Sequence, residues 1–207
     1  MNGESELNEE LDNEVLREIG SIGAGHAATS LSDLIQQKVL ITFPKIEVAH
    51  PKDIPKVLGL QDRQAVVVHK TLQGDDNCHI MLVFPQEEAE KIVSTIAKMN
   101  FGVEELDEET KASAIEEVGN IVIGSFLTAI SDFTNSELVH TPPNHVTDRL
   151  SVILDRFPTR MSSLDDKAVI FHTSFKKEEE DIYGIVIIFF SEELRRDLIH
   201  KGKAWLE

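Results

Sequence analysis

Residues 115–134 read IEEVGNIVIGSFLTAISDFT, and residues 16–35 read LREIGSIGAGHAATSLSDLI. At an offset of 99 the two windows share seven of twenty positions: Glu18/Glu117, Gly20/Gly119, Ile22/Ile121, Gly25/Gly124, Thr29/Thr128, Ser32/Ser131 and Asp33/Asp132. Leu16/Ile115 and Ile19/Val118 are conservative pairs, and Pro44 and Pro143 keep the same offset. Further along, Ala65–His69 aligns with Ala168–His172 at an offset of 103, and Phe84–Glu88 with Phe189–Glu193 at 105. A period of roughly 100 residues is too long for a solenoid repeat. It fits two fused copies of one half, packed about a pseudo-two-fold axis, as if an isologous dimer had been joined into one chain.

Each half reads alike. A long helix opens it, over 7–35 and over 107–134, with Leu11, Val15, Ile19 and Ile22 at helical spacing. A strand comes next at Val39–Val48. Hairpin strands are predicted at Ala65–Leu72 with Cys78–Phe84, and at Ala168–Phe175 with Ile182–Phe190; turn residues join the first pair and charged residues the second. Helices Gln86–Met99 and Ser191–Lys201 close the halves. Asp53–Leu58 and Asn144–Arg156 read as shorter helices, the second bracketed by Pro142-Pro143 and Pro158. The expected fold is α/β of the α+β type: two pseudo-symmetric halves, about 7–100 and 105–203, forming one compact domain over 1–207. Glycines 20, 23, 25, 119 and 124 each cost about 1 kcal/mol relative to alanine in a helix interior. Close backbone approach, as between the two long helices, would offset that cost; a helix break near Gly23–Gly25 is the competing explanation.

Composition narrows the function. The 207 residues are 41% hydrophobic, enough for a packed core. The net charge of −17 lacks the basic footprint of a nucleic-acid binder and opposes docking on anionic membranes. A single cysteine, Cys78, excludes an internal disulfide and a cysteine-rich zinc site. The eight histidines show no paired ligand spacing, and no metal site is expected. The longest apolar run, Ile185–Phe190, is far short of a membrane span, and the acidic start is unlike a signal peptide. A cytoplasmic protein is expected. Gly20–Gly25 resembles a phosphate-cradling loop but lacks both the preceding strand and the required spacing.

Glu117 and Asn120 stand out on the second long helix. Their i, i+3 spacing puts them on one face, with Ser113 one turn earlier on the same stripe. A carboxylate can meet a cation on a partner; a carboxamide both donates and accepts, so it can orient a water. An ordinary solvated helix face is the plain alternative. Against it stand Glu18 beside the equivalent glycine and a proline at the same distance in both halves.

This pattern resembles the CheC, FliY and CheX phosphatases of prokaryotic chemotaxis. Their signature is Asp or Ser, three residues, Glu, two residues, Asn, twenty-two residues, Pro; Ser113, Glu117, Asn120 and Pro143 meet it throughout. EIGSIGAGHAATSLS is similar to the family's opening helix, and the length fits a stand-alone CheC. The first half departs from the signature. Glu18 and Pro44 match, but Glu14 takes the Asp/Ser position and Ser21 replaces the asparagine, too short to reach where a carboxamide would. Glu18 then reads as a relic of duplication or a docking residue.

The resemblance implies hydrolysis of the aspartyl phosphate of CheY, the chemotaxis response regulator, which would hold magnesium itself; no cofactor of the chain's own is expected. Asn120 would hold a water in line with phosphorus, Glu117 would pair with a lysine of the partner, and Ser113 would support the helix or touch the partner. Pro143 shapes the loop that places the site, or is a plain structural turn. The family also binds CheD, a receptor-modifying deamidase, through a short helix after the signature proline. HVTDRLSVILDR matches it, with Asp148 as the docking acid; alternatively Val146, Leu150 and Ile153 simply face the core. Two further readings stay open: a non-catalytic adaptor for phosphorylated CheY and CheD, and a scaffold among motility-switch proteins. The duplication already supplies a pseudo-dimer, so a monomer is expected.

Overall fold

The computed structural model describes residues 2–61, 63–73, 78–98, 102–156, 168–177 and 180–206, with side chains except those of 2–11, 44, 177, 180, 192 and 205–206. Helix α1 spans Asn2–Ile35, starting before the expected residue 7, and runs unbroken through Gly23–Gly25. Strand β1 (Leu40–Ala49) leads through a 3-10 turn at Pro51–Asp53 into the short helix α2 (Ile54–Val57). Strands β2 (Gln64–Thr71) and β3 (His79–Pro85) form a hairpin, and α3 (Gln86–Ile96) closes the series. The order then runs again: α4 (Glu108–Thr134), β4 (Asn144–Arg149), α5 (Leu150–Arg156), β5 (Ala168–Lys177), β6 (Glu180–Phe189) and α6 (Glu192–Leu206).

The region 144–156, expected as a helix throughout, is half strand. Asn144–Arg149 pairs antiparallel with β2, from His69↔Asn144 to Gln64↔Arg149. The outer edge of β2 is open after its hairpin, and a strand there satisfies both sets of backbone groups. The helix begins only at Leu150.

One six-stranded antiparallel sheet, ordered β1-β5-β6-β3-β2-β4, unites the chain into a single compact α+β domain. Its first and fourth strands are exchanged: β1 pairs with β5, and β4 with β2. Neither half is closed by itself. In the centre, Met81 pairs with Ile187 and Leu82 with Val186. At the offset of 105, exchanging the halves turns one pair into the other, so a local two-fold axis passes between them.

The sheet carries a core on each face, which is why β3 is buried at every position. Leu82, Phe84, Phe171, Val186 and Ile188 meet α1 and α4. Met81, Val83, Ile170, Ile185 and Ile187 join Ile54, Leu150 and Ile153 of the short helices. Alternating side chains feed the two cores from the same strands. Helix α4 is long and apolar enough by length and composition to cross a membrane. It is instead a core helix: Val118, Val122, Ile123, Phe126 and Ile130 are buried. Asp107 caps its start, accepting from the Thr110 N–H at 2.8 Å, and Asn135 ends it in the left-handed conformation at φ 47°.

Candidate functional site

Helix α4 lies close over β2 because Gly119 has no side chain. A Cβ there would overlap the Val68 side chain. Gly20 takes the same role for α1, where a Cβ would come within 2.9 Å of the Phe171 ring. At these two positions the close approach is between helix and sheet. Gly23 contacts Phe126 of the other long helix, whereas Gly25 and Gly124 face open space.

The close approach lowers the next residue, Asn120, onto the sheet. Asn120 is half-buried, while Glu117 and Ser113 on the same stripe are exposed. The Ser113 hydroxyl turns back to donate to the Glu109 carbonyl at 3.0 Å. Below Asn120 sits Lys70 of β2, only 2% exposed. Its Nζ donates to Asn120 Oδ1 at 2.6 Å. Burial pushes the Lys70 ammonium below the ordinary lysine range, and the negative charge of Glu117 opposes that shift. His140 completes the group, with Nδ1 3.5 Å from Lys70 Nζ and 3.0 Å from the Thr141 carbonyl oxygen.

The segment after α4 is stitched to the end of β2. Leu72 bridges His140, the Thr141 N–H donates to the Thr71 carbonyl at 2.9 Å, and the Thr71 N–H donates to Thr141 Oγ1 at 3.1 Å. Pro143 stands at the end of this segment, immediately before β4, where lack of an N–H costs nothing to a ladder. A contact between Glu116 and His145 at 2.7 Å ties α4 to β4 alongside. Glu117, Asn120, Lys70 and His140 thus converge from α4, β2 and the stitched segment. Ser113 and Pro143 border the face, one on the helix above it and one on the chain leaving it.

The pseudo-equivalent site on α1 and β5 lacks this constellation. Ser21 is exposed and Glu18 half-buried on α1. At the offset of 103 the counterpart of Lys70 is Thr173, fully buried, whose hydroxyl donates to the Phe171 carbonyl at 3.1 Å. A surface hollow of about 650 Å³ opens there, bordered by Arg17, Ser21, Thr42 and Lys45. Pro44 lies in β1 within the register shift between Thr42 and Lys45; its side chain is outside the described residues.

Asp148 is on strand β4, not on a helix, which corrects the expected docking element. Its carboxylate accepts from Arg156 at 2.8 Å and from the Arg149 N–H at 2.8 Å. Leu150 and Ile153 are completely buried in the second core, and Val146 packs against it. His172 is held between Tyr183 at 2.6 Å and Glu47 at 2.5 Å. Among the described residues no three His, Cys, Asp or Glu side chains are grouped to hold a metal ion.

Sequence reasoning missed Lys70 and His140. Lys70 carried a signal: it continues the Val66, Val68 alternation, so it points to the helix layer and not to solvent.

The chain is similar to known chemotaxis and flagellar proteins. A model of the CheC-like family matches residues 14–48 and 111–147, which hold α1 with β1 and α4 with the start of β4. The CheY-P phosphatase CheC of Bacillus subtilis is 29% identical over 163 residues, 78% of this chain and 78% of that one. The flagellar motor switch phosphatase FliY of the same organism is 26% identical over 92% of this chain and 49% of its own length. The crystal structure of Thermotoga maritima FliY superposes with a TM-score of 0.73 at 22% identity, covering 93% of this chain and 96% of that one. The matched segments and the relatives make this chain similar to CheC-like proteins, and the likeness to Thermotoga maritima FliY shows a shared fold. Of these relatives, one is named a CheY-P phosphatase and the other a flagellar motor switch phosphatase.

Proposed function

We propose that this chain hydrolyses the aspartyl phosphate of CheY, with the face of Glu117 and Asn120 as the active one. The observation that carries the reading is the pairing of an exposed carboxylate with a carboxamide whose oxygen is already held from beneath. An acyl phosphate is intrinsically labile, so the phosphatase contributes positioning more than covalent chemistry. Asn120 orients a water in line with phosphorus. The water oxygen bonds to phosphorus, the bond from phosphorus to the aspartyl oxygen breaks, and free carboxylate and inorganic phosphate result; the water proton leaves with phosphate or solvent. Glu117 pairs with a lysine of the regulator and fixes the register of the complex. The magnesium of this reaction belongs to the regulator, and this chain supplies no ligand to it. Ser113 and Pro143 support the helix and the loop around the face. The first site, with Glu18, Ser21 and Pro44, is inactive because serine falls short.

In the same proposal the protein works in the cytoplasm as a monomer, its two halves acting as built-in partners. Motility-switch proteins and CheD are further partners. For CheD, Asp148 remains the candidate acid, with 29% of its side chain exposed beside Arg156.

The test is phosphoryl loss from a cognate CheY with magnesium present. Wild-type protein should accelerate it, and Asn120→Ala should remove the acceleration, on the order of 100-fold, while keeping the fold. No acceleration by the wild type would reject the phosphatase in favour of the adaptor.

A further inference from the structure

We infer that Lys70 is a positioning residue for the phosphatase face, fixing the Asn120 carboxamide so that its amino group is turned away from the sheet. This rests on the phosphatase reading for its consequence, and on the geometry alone for the contact. Lys70 Nζ takes one lone pair of Asn120 Oδ1 at 2.6 Å, which leaves the second lone pair and both N–H donors for a water or phosphoryl oxygen. A charge-assisted bond to the oxygen also polarises the amide and strengthens its N–H donors.

Three observations argue against a merely structural lysine. An ammonium that is 2% exposed is costly, and an apolar side chain of its length would fill the space without that cost. Its bond goes to a neutral carboxamide and not to a carboxylate, so it does not serve as one half of a buried ion pair. The chain also contains its own control. Where the first half has Ser21 in place of asparagine, the strand position corresponding to Lys70 holds Thr173, whose hydroxyl bonds its own strand. Lysine and asparagine are present together at one of the two pseudo-equivalent sites and absent together at the other. Because Lys70 comes from β2 and Asn120 from α4, the active face is assembled from both halves.

The test compares Lys70→Met, Lys70→Arg, Asn120→Ala and the Lys70→Met/Asn120→Ala double variant. Two readouts are used: decay of phosphorylated CheY, and side-chain amide relaxation of Asn120 by NMR. Lys70→Met should lower kcat about 10- to 100-fold with KM little changed, because Lys70 does not touch the partner. Lys70→Arg, which keeps a cationic donor, should retain more of the rate. In the Asn120→Ala background Lys70→Met should add nothing, since the effect passes through the asparagine. The Asn120 amide should become mobile in Lys70→Met. An equal loss with and without Asn120 would overturn the inference. If the wild type itself shows no turnover, the phosphatase reading fails; an Asn120 amide equally rigid in Lys70→Met would then overturn the positioning role independently.

Discussion

A lysine withdrawn from water beneath an asparagine has consequences for stability as well as chemistry. Burial lowers the Lys70 pKa from its ordinary 10.5, so the folded protein holds this proton more weakly than the unfolded chain does. Below the folded pKa the charged lysine therefore costs stability. As pH rises through that value toward 10.5 the cost is relieved, and wild-type stability rises relative to a variant without the group. Lys70→Met should thus melt at or above the wild-type temperature at neutral pH, with the difference narrowing at alkaline pH. Thermal melts of both proteins across that range check this; a deficit for Lys70→Met that is independent of pH would contradict it. Glu117 and Asn120 were legible in the sequence because helical spacing puts them on one face. Lys70 was not, because its bond to Asn120 spans fifty residues and two elements. A lysine near the end of a strand reads as solvated until the helix above it is placed.

The long helices owe their placement to glycines that differ sharply in use. Gly119→Ala would press a methyl into Val68 and lift α4 from β2. The expected loss is about 1–3 kcal/mol, with turnover lowered because Asn120 moves away from Lys70. Gly124→Ala meets open space in a continuous helix and should stabilise by up to about 1 kcal/mol. Chemical denaturation of the two variants checks both signs. The α5 region separates packing from docking in the same way. Ile153→Ala should cost about 2–5 kcal/mol, whereas Asp148→Ala, whose partner Arg156 is largely exposed, should cost under about 1 kcal/mol. Periodicity revealed the long helices and both hairpins, since apolar spacing is local. It missed β4, because Asn144–Arg149 is a strand only by virtue of β2, some eighty residues earlier. The prolines at 142 and 143 marked a boundary but could not tell a strand from a helix beyond it.

Exchange of β1 and β4 makes the two halves one cooperative structure. Each half relies on the other for an edge strand, and the central β3–β6 pair buries both faces. Unfolding should therefore be a single transition, with calorimetric and van't Hoff enthalpies in agreement. Two separated transitions would mean that the halves fold independently. The likeness of residues 16–35 to 115–134 led to the expectation of two similar halves, and the element order does recur along the chain, yet the exchange was not legible, because sequence identity between halves does not say which half a strand pairs with. The same arrangement builds each of the two pseudo-equivalent sites from a helix of one half and a strand of the other, so the sites can differ. Asn120 of α4 with Lys70 of β2 equips one site, while Ser21 of α1 with Thr173 of β5 leaves the pseudo-equivalent site without the pair. The decisive measurement is the rate of phosphoryl loss from cognate phosphorylated CheY with wild type, Ser21→Ala and Asn120→Ala side by side. Wild type and Ser21→Ala should accelerate the decay equally, and Asn120→Ala should return it to the rate of CheY alone. Acceleration that survives in Asn120→Ala and disappears in Ser21→Ala would contradict the account and move catalysis to the first half.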